Sequence, residues 1–191
     1  MFSNLVKRTR SFRRFKQEPA PSMSDLDSLV ELARFAPSAS NRQPIRYIIV
    51  KDSEVLPQVF SCLRWAGYLE SWSGPKMDEQ PTAYIVLLSD PTIDMNPGID
   101  LGLAAQNVVL GAAERGFGAC LVGSITRDHL REILDVPQDL KIEMVVALGA
   151  PGEQVVLTEA KNESDIRYWR GDDDVHYVPK RRLEDVVVKR V

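Results

Sequence analysis

Alternating strand and helix signals along the chain predict a layered α/β or α+β fold. Two observations carry the prediction. Residues 82–89 (TAYIVLLS) and 142–149 (IEMVVALG) are nearly unbroken apolar runs of strand length, as expected of strands covered on both faces. Helix-length stretches precede and separate them, so helices are available to cover a sheet.

The first feature in chain order is a basic segment. Residues 7–16 (KRTRSFRRFK) hold six basic side chains in ten positions, and no acid precedes Glu18. Phe12 and Phe15 predict that this segment packs against the body of the protein. The first strong helix spans 24–36. Ser24 can cap it, Asp27 completes a capping-box spacing, and Leu26, Leu29, Val30 and Ala33 share a face. Pro37 ends it. After a polar loop, IRYIIV (45–50) reads as a strand. A helix then starts near Ser53 and includes Val55, Val59 and Leu63, with Pro57 tolerated only in its first turn. Turn residues make 67–81 a loop.

The longest helix runs from about Ile99 to Arg115, and Gly116 is placed to end it. Gly102, Ala104, Ala105, Gly111, Ala112 and Ala113 are all small. A glycine inside a helix costs up to about 1 kcal/mol against alanine. Small residues here predict a central helix packed closely on both sides, one of them a dimer interface. Residues 118–124 (GACLVGS) read as a strand and 126–134 as a short amphipathic helix. Residues 152–191 are mostly polar, with acids at Asp172–Asp174 and bases at Lys180–Arg182. Tyr168, Trp169, Tyr177 and a VVV near the end argue against disorder. They predict an arm lying over a surface, such as that of a second subunit.

The bulk numbers bound the possibilities. A chain of 191 residues, 44% hydrophobic and 27% charged, fits one globular domain. No window approaches the roughly 20 apolar residues that span a bilayer, so no membrane role is expected. The N-terminus lacks the apolar core of a secretory signal, and a cytoplasmic location is expected. The two cysteines, Cys62 and Cys120, form no CxxC pair, and His129 and His176 lie far apart. They read as reduced core residues rather than zinc ligands.

The net charge is −3, yet positive charge is gathered at one place. That place is expected to meet an anion. Arginine presents a planar fork that matches phosphate oxygens two at a time, and Ser11 adds a hydroxyl donor. Nucleic acid would need a wider basic surface and a stacking platform. A pI of about 5.5 and the lack of a second long basic stripe favour a small phosphorylated ligand. The loop APSASNRQP (36–44), between a helix and a strand, offers a second cluster of short polar groups.

These pieces occur in an order that resembles the flavin-dependent nitroreductase family. The family's Arg-Ser-x-Arg segment corresponds to Arg10-Ser11-Phe12-Arg13. Its Pro-Ser-x-x-Asn-x-Gln-Pro loop corresponds to Pro37-Ser38-Ala39-Ser40-Asn41-Arg42-Gln43-Pro44. The small-residue helix, through Gln106 and Asn107, ends at Gly116-Phe117-Gly118. The last strand ends in Leu148-Gly149-Ala150-Pro151, and Lys180-Arg181-Arg182 supply a C-terminal basic cluster.

The resemblance implies a three-layer α+β fold, with a mostly antiparallel central sheet flanked by helices. It implies one domain over 1–191, with residues 152–191 as an arm exchanged in a homodimer. FMN would bind at the dimer interface. Arg10, Ser11 and Arg13 would meet its phosphate and ribityl chain, and Lys180 and Arg181 would close on the phosphate. Pro37, Ser38, Ala39, Ser40 and Asn41, with Gln43 close by, would reach the flavin from the other subunit. Gly123 and Ser124 would approach the ring edge by their backbone. Residues 63–76, with Trp65, Tyr68 and Trp72, would shape the substrate pocket.

The implied activity is hydride transfer from NAD(P)H, as a transient donor, through FMN to a nitroaromatic, a quinone or a similar small electron-poor acceptor. One shared pocket implies ping-pong kinetics. No GxGxxG follows a strand, so no Rossmann nicotinamide site is expected. Hydride transfer needs no side-chain acid or base, so no catalytic residue is assigned. The alternative reading is a flavin-storing or redox-sensing protein with little turnover. A third reading, ranked lower, gives the basic N-terminus to nucleic acid or to an acidic protein.

Overall fold

A computed structural model describes every residue except Ser71 and Glu163. The helices are α1 (Phe2–Arg8), α2 (Met23–Arg34), α3 (Leu56–Ser61), α4 (Gly98–Glu114), α5 (Arg127–Ile133) and α6 (Leu183–Val186). The strands are β1 (Phe15–Lys16), β2 (Ile45–Val50), β3 (Ala83–Ser89), β4 (Gly118–Val122), β5 (Lys141–Pro151), β6 (Val155–Glu159), β7 (Trp169–Arg170) and β8 (His176–Lys180).

The central sheet runs β2-β3-β5-β4, and β1 pairs with the C-terminal end of β5. All its ladders are antiparallel. β3 is buried along its whole length, which is why its sequence is apolar without alternation. Its side chains nevertheless alternate between two cores. Tyr84, Val86 and Leu88 join Val145 and Ala147 beneath α3 and α5. Ala83, Ile85 and Leu87 join Val146 and Leu148 against α2 and α4. Each fully buried Val, Leu or Ile contributes about 1.5–3 kcal/mol, so these two faces hold three layers together. The architecture is the expected α+β sandwich of helices about an antiparallel sheet.

Boundaries moved where two signals competed. α2 begins at Met23, capped by Ser22 in a box with Asp25, rather than by Ser24 with Asp27. Both pairs have the same spacing; Ser22 takes the cap because it lies in extended backbone just after Pro21. Helix α1 buries no side chain, so no apolar stripe announced it in the sequence. Pro57 sits in the first turn of α3, as required.

α4 packs closely on one side only within this chain. A Cβ on Gly111 would stand 2.5 Å from Leu32 Cδ1 and 3.0 Å from Leu29 Cδ2, so the glycine sets the approach of α2. Asn107 Nδ2 donates to the Leu32 carbonyl at 2.9 Å across the same contact. On the outer side Ile99 is 81% exposed and Leu103 41%, and a Cβ on Gly102 would meet nothing within 4 Å.

The tail forms a second sheet, β6-β8-β7, in which β6 and β8 are parallel. Tyr168, Asp174 and His176 of this arm, which was expected over a second subunit, touch the N-terminal segment of their own chain. Asp174 pairs with Arg14 at 2.6 Å. Glu153, at the root of the arm, accepts the backbone N–H groups of Arg13 and Arg14 and pairs with Arg170 at 2.8 Å. Beyond it, Leu183, Val186, Val188 and Val191 are exposed.

Candidate functional site

The N-terminal segment is stitched to the sheet before its side chains do anything else. Ser11 bridges Ala119, and the Phe12 N–H donates to the Ala119 carbonyl at 2.9 Å. The Phe12 ring lies against Gly118, where a Cβ would come within 3.0 Å, and Phe15 is buried. With Phe12 turned inward, Ser11 and Arg13 point the other way. Together with Thr9 and Arg10 they line a cavity of about 340 Å³. Three further elements complete it: Gln106 and Val109 from α4, Ala119 and Leu121 from β4, and His176, Val178 and Lys180 from β8, with Tyr168 beside them. Both strands contribute every second residue, the period of a pleated strand.

None of the described lining residues is acidic. The basic residues of the region divide into two groups. Arg14 is neutralised by Glu79 and Asp174, and Arg170 by Glu153 and Asp174. Among the described residues, no carboxylate pairs with Arg10, Arg13 or Lys180, the three that line the cavity. Arg10 donates through Nη2 to the Val6 carbonyl at 2.9 Å, while its buried Nε has no partner among the described residues. Burial pulls the Arg10 pKa below the ordinary guanidinium value. Arg13 lies 4.5 Å over the Tyr168 ring, with its Nη1 2.9 Å from His176 Nε2. His176 is fully buried, and its pKa is pushed down to about 4, by burial first and then by Arg13 and Arg170. A cavity walled by unpaired cations and N–H donors is suited to an anion.

A second, smaller cavity, of about 170 Å³, is lined by part of the expected loop. Pro37, Ser38 and Gln43 line it, with Asp100 and Ala104 of α4. The loop is held in left-handed backbone at Ser40, Asn41 and Gln43, with φ of 53°, 54° and 53°. Non-glycine residues persist there only when the surroundings fix them, often at functional sites. The fixing group is Asp100, a buried carboxylate in the first turn of α4. It accepts the Ser38 hydroxyl and, at 3.3 Å, the Ala39 N–H. Ser38 Oγ in turn accepts the Gln43 N–H at 2.9 Å. Ala39, Ser40 and Asn41 form an exposed 3-10 turn and line neither cavity.

One chain does not bring the two cavities together. Asp100 and Ala104 face the small cavity, Gln106 and Val109 the large one. At 100° per residue these pairs point roughly 190° apart around the helix. Gly123 and Ser124 follow β4 and line neither cavity; their carbonyls accept from Arg127 Nη2 at 3.2 Å and from the Arg64 N–H at 3.0 Å. Lys180 lines the large cavity; Arg181, one step along, does not.

Sequence reasoning missed Tyr168, His176 and Val178 as cavity residues. Counting back in twos from Lys180 would have found Val178 and His176, once 176–180 was read as a strand. Of the expected pocket aromatics, Trp65 packs on Phe60. Tyr68 leans on Tyr168, and Trp72 lies beneath Arg14 and Arg170. Both cysteines are buried, and burial pushes the Cys120 thiol up to about 11, which disfavours a thiolate.

Residues 6–150 match the Nitroreductase family. A protein of Archaeoglobus fulgidus, provisionally named NADH dehydrogenase/NAD(P)H nitroreductase, is 29% identical over 160 residues, covering 80% of this chain and 87% of that one. An iodotyrosine deiodinase of Thermotoga neapolitana is 25% identical over 185 residues, covering 88% and 97%. Among solved structures, an FMN-dependent nitroreductase of Clostridium difficile R20291 superposes with a TM-score of 0.66 at 25% identity, covering 84% and 92%.

Proposed function

The chain belongs to the nitroreductase family, and we propose that it is an FMN-dependent oxidoreductase that takes hydride from NAD(P)H. Its acceptors would be nitroaromatics, quinones or similar electron-poor small molecules, reduced by a ping-pong mechanism. The observation that carries the cofactor reading is the placement of Arg10, Arg13 and Lys180, without carboxylate partners among the described residues, around one cavity. A phosphate dianion fits that donor set, and an oxygen of such an anion is what the orphaned Arg10 Nε lacks. Arg10, Ser11, Arg13 and Lys180 would hold the phosphate, with Arg181 flanking it. Val109, Ala119, Leu121 and Val178 supply apolar wall.

The Pro37–Gln43 loop is proposed to serve the flavin of the other subunit in a homodimer. Two features support this: the opposed cavities on α4, and the exposed Ile99 and Leu103 on its outer side. Gly123 and Ser124, which have no side chain in either cavity, would offer backbone N–H donors at the ring edge, favouring negative charge there. When bound, FMN supplies the hydride-accepting and hydride-donating chemistry. The chain's own task is to bind, orient and polarise, so no side chain is assigned as acid or base.

The test is the visible spectrum of the protein after incubation with FMN and gel filtration, followed by anaerobic NADH and then NADPH. The expected result is a flavin band that bleaches with a nicotinamide and returns on adding an acceptor. Iodotyrosine belongs among the acceptors tried, given the deiodinase relative. Bleaching with no return for any acceptor would favour flavin storage or redox sensing over catalysis. Absence of any flavin band would overturn the reading.

A further inference from the structure

The imidazole of His176 is a costly group to bury where it lies. It is completely shielded from solvent, on a strand paired with Val155 on one side and Arg170 on the other. Its Nε2 is 2.9 Å from Arg13 Nη1. A guanidinium has no acceptor to offer, so Nε2 carries the lone pair and the proton sits on Nδ1. That Nδ1 is buried with no partner among the described residues. Packing alone would be served better by an aliphatic side chain, which has no polar group to satisfy.

What the imidazole gains for the site is a fixed Arg13. Three contacts constrain that residue. Glu153 accepts its backbone N–H, the Tyr168 ring lies under its guanidinium at 4.5 Å, and His176 takes one Nη1 hydrogen. The Tyr168 and His176 rings also touch, with centroids 5.2 Å apart, so acceptor and platform hold each other. The groups facing His176 are Arg13, Arg170 and Tyr168, two cations and a neutral ring. A neutral imidazole can hold Arg13 beside Arg170; an imidazolium would repel both. The remaining donors of the Arg13 fork are left for a ligand in the cavity it lines.

We propose that His176 is a positioning residue that selects phosphorylated over unphosphorylated flavin, by holding Arg13 toward the anion in the cavity. The proposal rests on the flavin reading above, and its test separates the two. FMN and riboflavin, which lacks the phosphate, are titrated into flavin-free wild type, His176→Phe and His176→Gln. His176→Phe keeps a ring on Tyr168 but no acceptor; the Gln amide oxygen can reach Arg13. The expected result is FMN affinity weakened about tenfold or more in the Phe variant, riboflavin affinity changed less than about twofold, and FMN affinity largely restored in the Gln variant.

Equal loss of both ligands would make His176 merely structural and overturn the proposal, as would unchanged FMN affinity in the Phe variant. Should that variant not fold, His176→Asn, whose amide is too short to reach Arg13, replaces it with the same expectation. If wild type binds neither flavin, the flavin reading falls, and stabilisation by inorganic phosphate then decides the role of His176. A phosphate-dependent rise in melting temperature, lost in Phe and kept in Gln, would retain His176 as a positioning residue for an anion. No such rise in wild type would overturn that too.

Discussion

At the scale of single residues, the site depends on which charges have partners. Arg10 has no carboxylate partner among the described residues and carries an orphaned Nε. Removing it by Arg10→Ala deletes a charge-assisted hydrogen bond of about 1.5–3 kcal/mol. FMN should then bind roughly 10- to 100-fold more weakly by fluorescence titration. Asp100 is the corresponding residue of the small cavity. Asp100→Ala strands the Ser38 hydroxyl and the Ala39 N–H, and should lower stability by about 1–3 kcal/mol in urea unfolding. His176 makes a pH prediction. Its folded pKa of about 4 lies below the ordinary value of 6.5, so between these pH values the unfolded chain binds the proton and the folded one does not. Stability therefore falls as pH drops from about 6.5 to about 4, by up to about 3 kcal/mol from this group. Urea titrations at pH 7 and pH 4.5 should show a smaller difference in His176→Gln than in wild type. An identical difference would show that His176 is not held neutral.

At the scale of elements, close backbone approach decides where the basic N-terminal segment lies. Gly152, just past β5, makes the closest backbone approach to it. A Cβ there would stand 2.8 Å from the Phe15 carbonyl carbon and 2.9 Å from the Phe15 nitrogen. These are backbone atoms and cannot rotate away. Gly152→Ala should cost about 1–3 kcal/mol and, unlike a surface change, should also weaken FMN binding by displacing Arg13. Retained melting temperature and retained affinity would show that the segment is free to shift. The same scale shows what local signals resolve. The strand at 82–89 was legible because a nearly unbroken apolar run has few alternatives, and that at 45–50 because β-branched and aromatic residues dominate it despite Arg46. The start of α2 was not, since Ser22 and Ser24 offer the same capping spacing. β7 and β8 escaped notice because short, half-polar strands in the tail bury too little to leave a pattern.

At the scale of the whole molecule, the outer face of α4 carries the dimer proposal. Leu103→Glu would place an unpaired charge in the proposed interface, at a cost of several kcal/mol. Light scattering should then report a monomer that has also lost FMN, as the proposed contribution of the Ser38–Gln43 loop across the dimer requires. A flavin-loaded dimer from this variant would remove α4 from the interface. The sequence by itself determined the layers, since burial on both faces writes itself into composition along β3 and β5. It also marked the basic segment, because six basic residues in ten stand out in an acidic chain. Only the tertiary structure decided which of those bases remain unpaired. Arg14 and Arg13 are neighbours in sequence, yet Asp174 neutralises one while His176 and Tyr168 hold the other toward the cavity. Those partners lie some 160 residues along the chain, and no local pattern encodes a contact made only when the arm folds back.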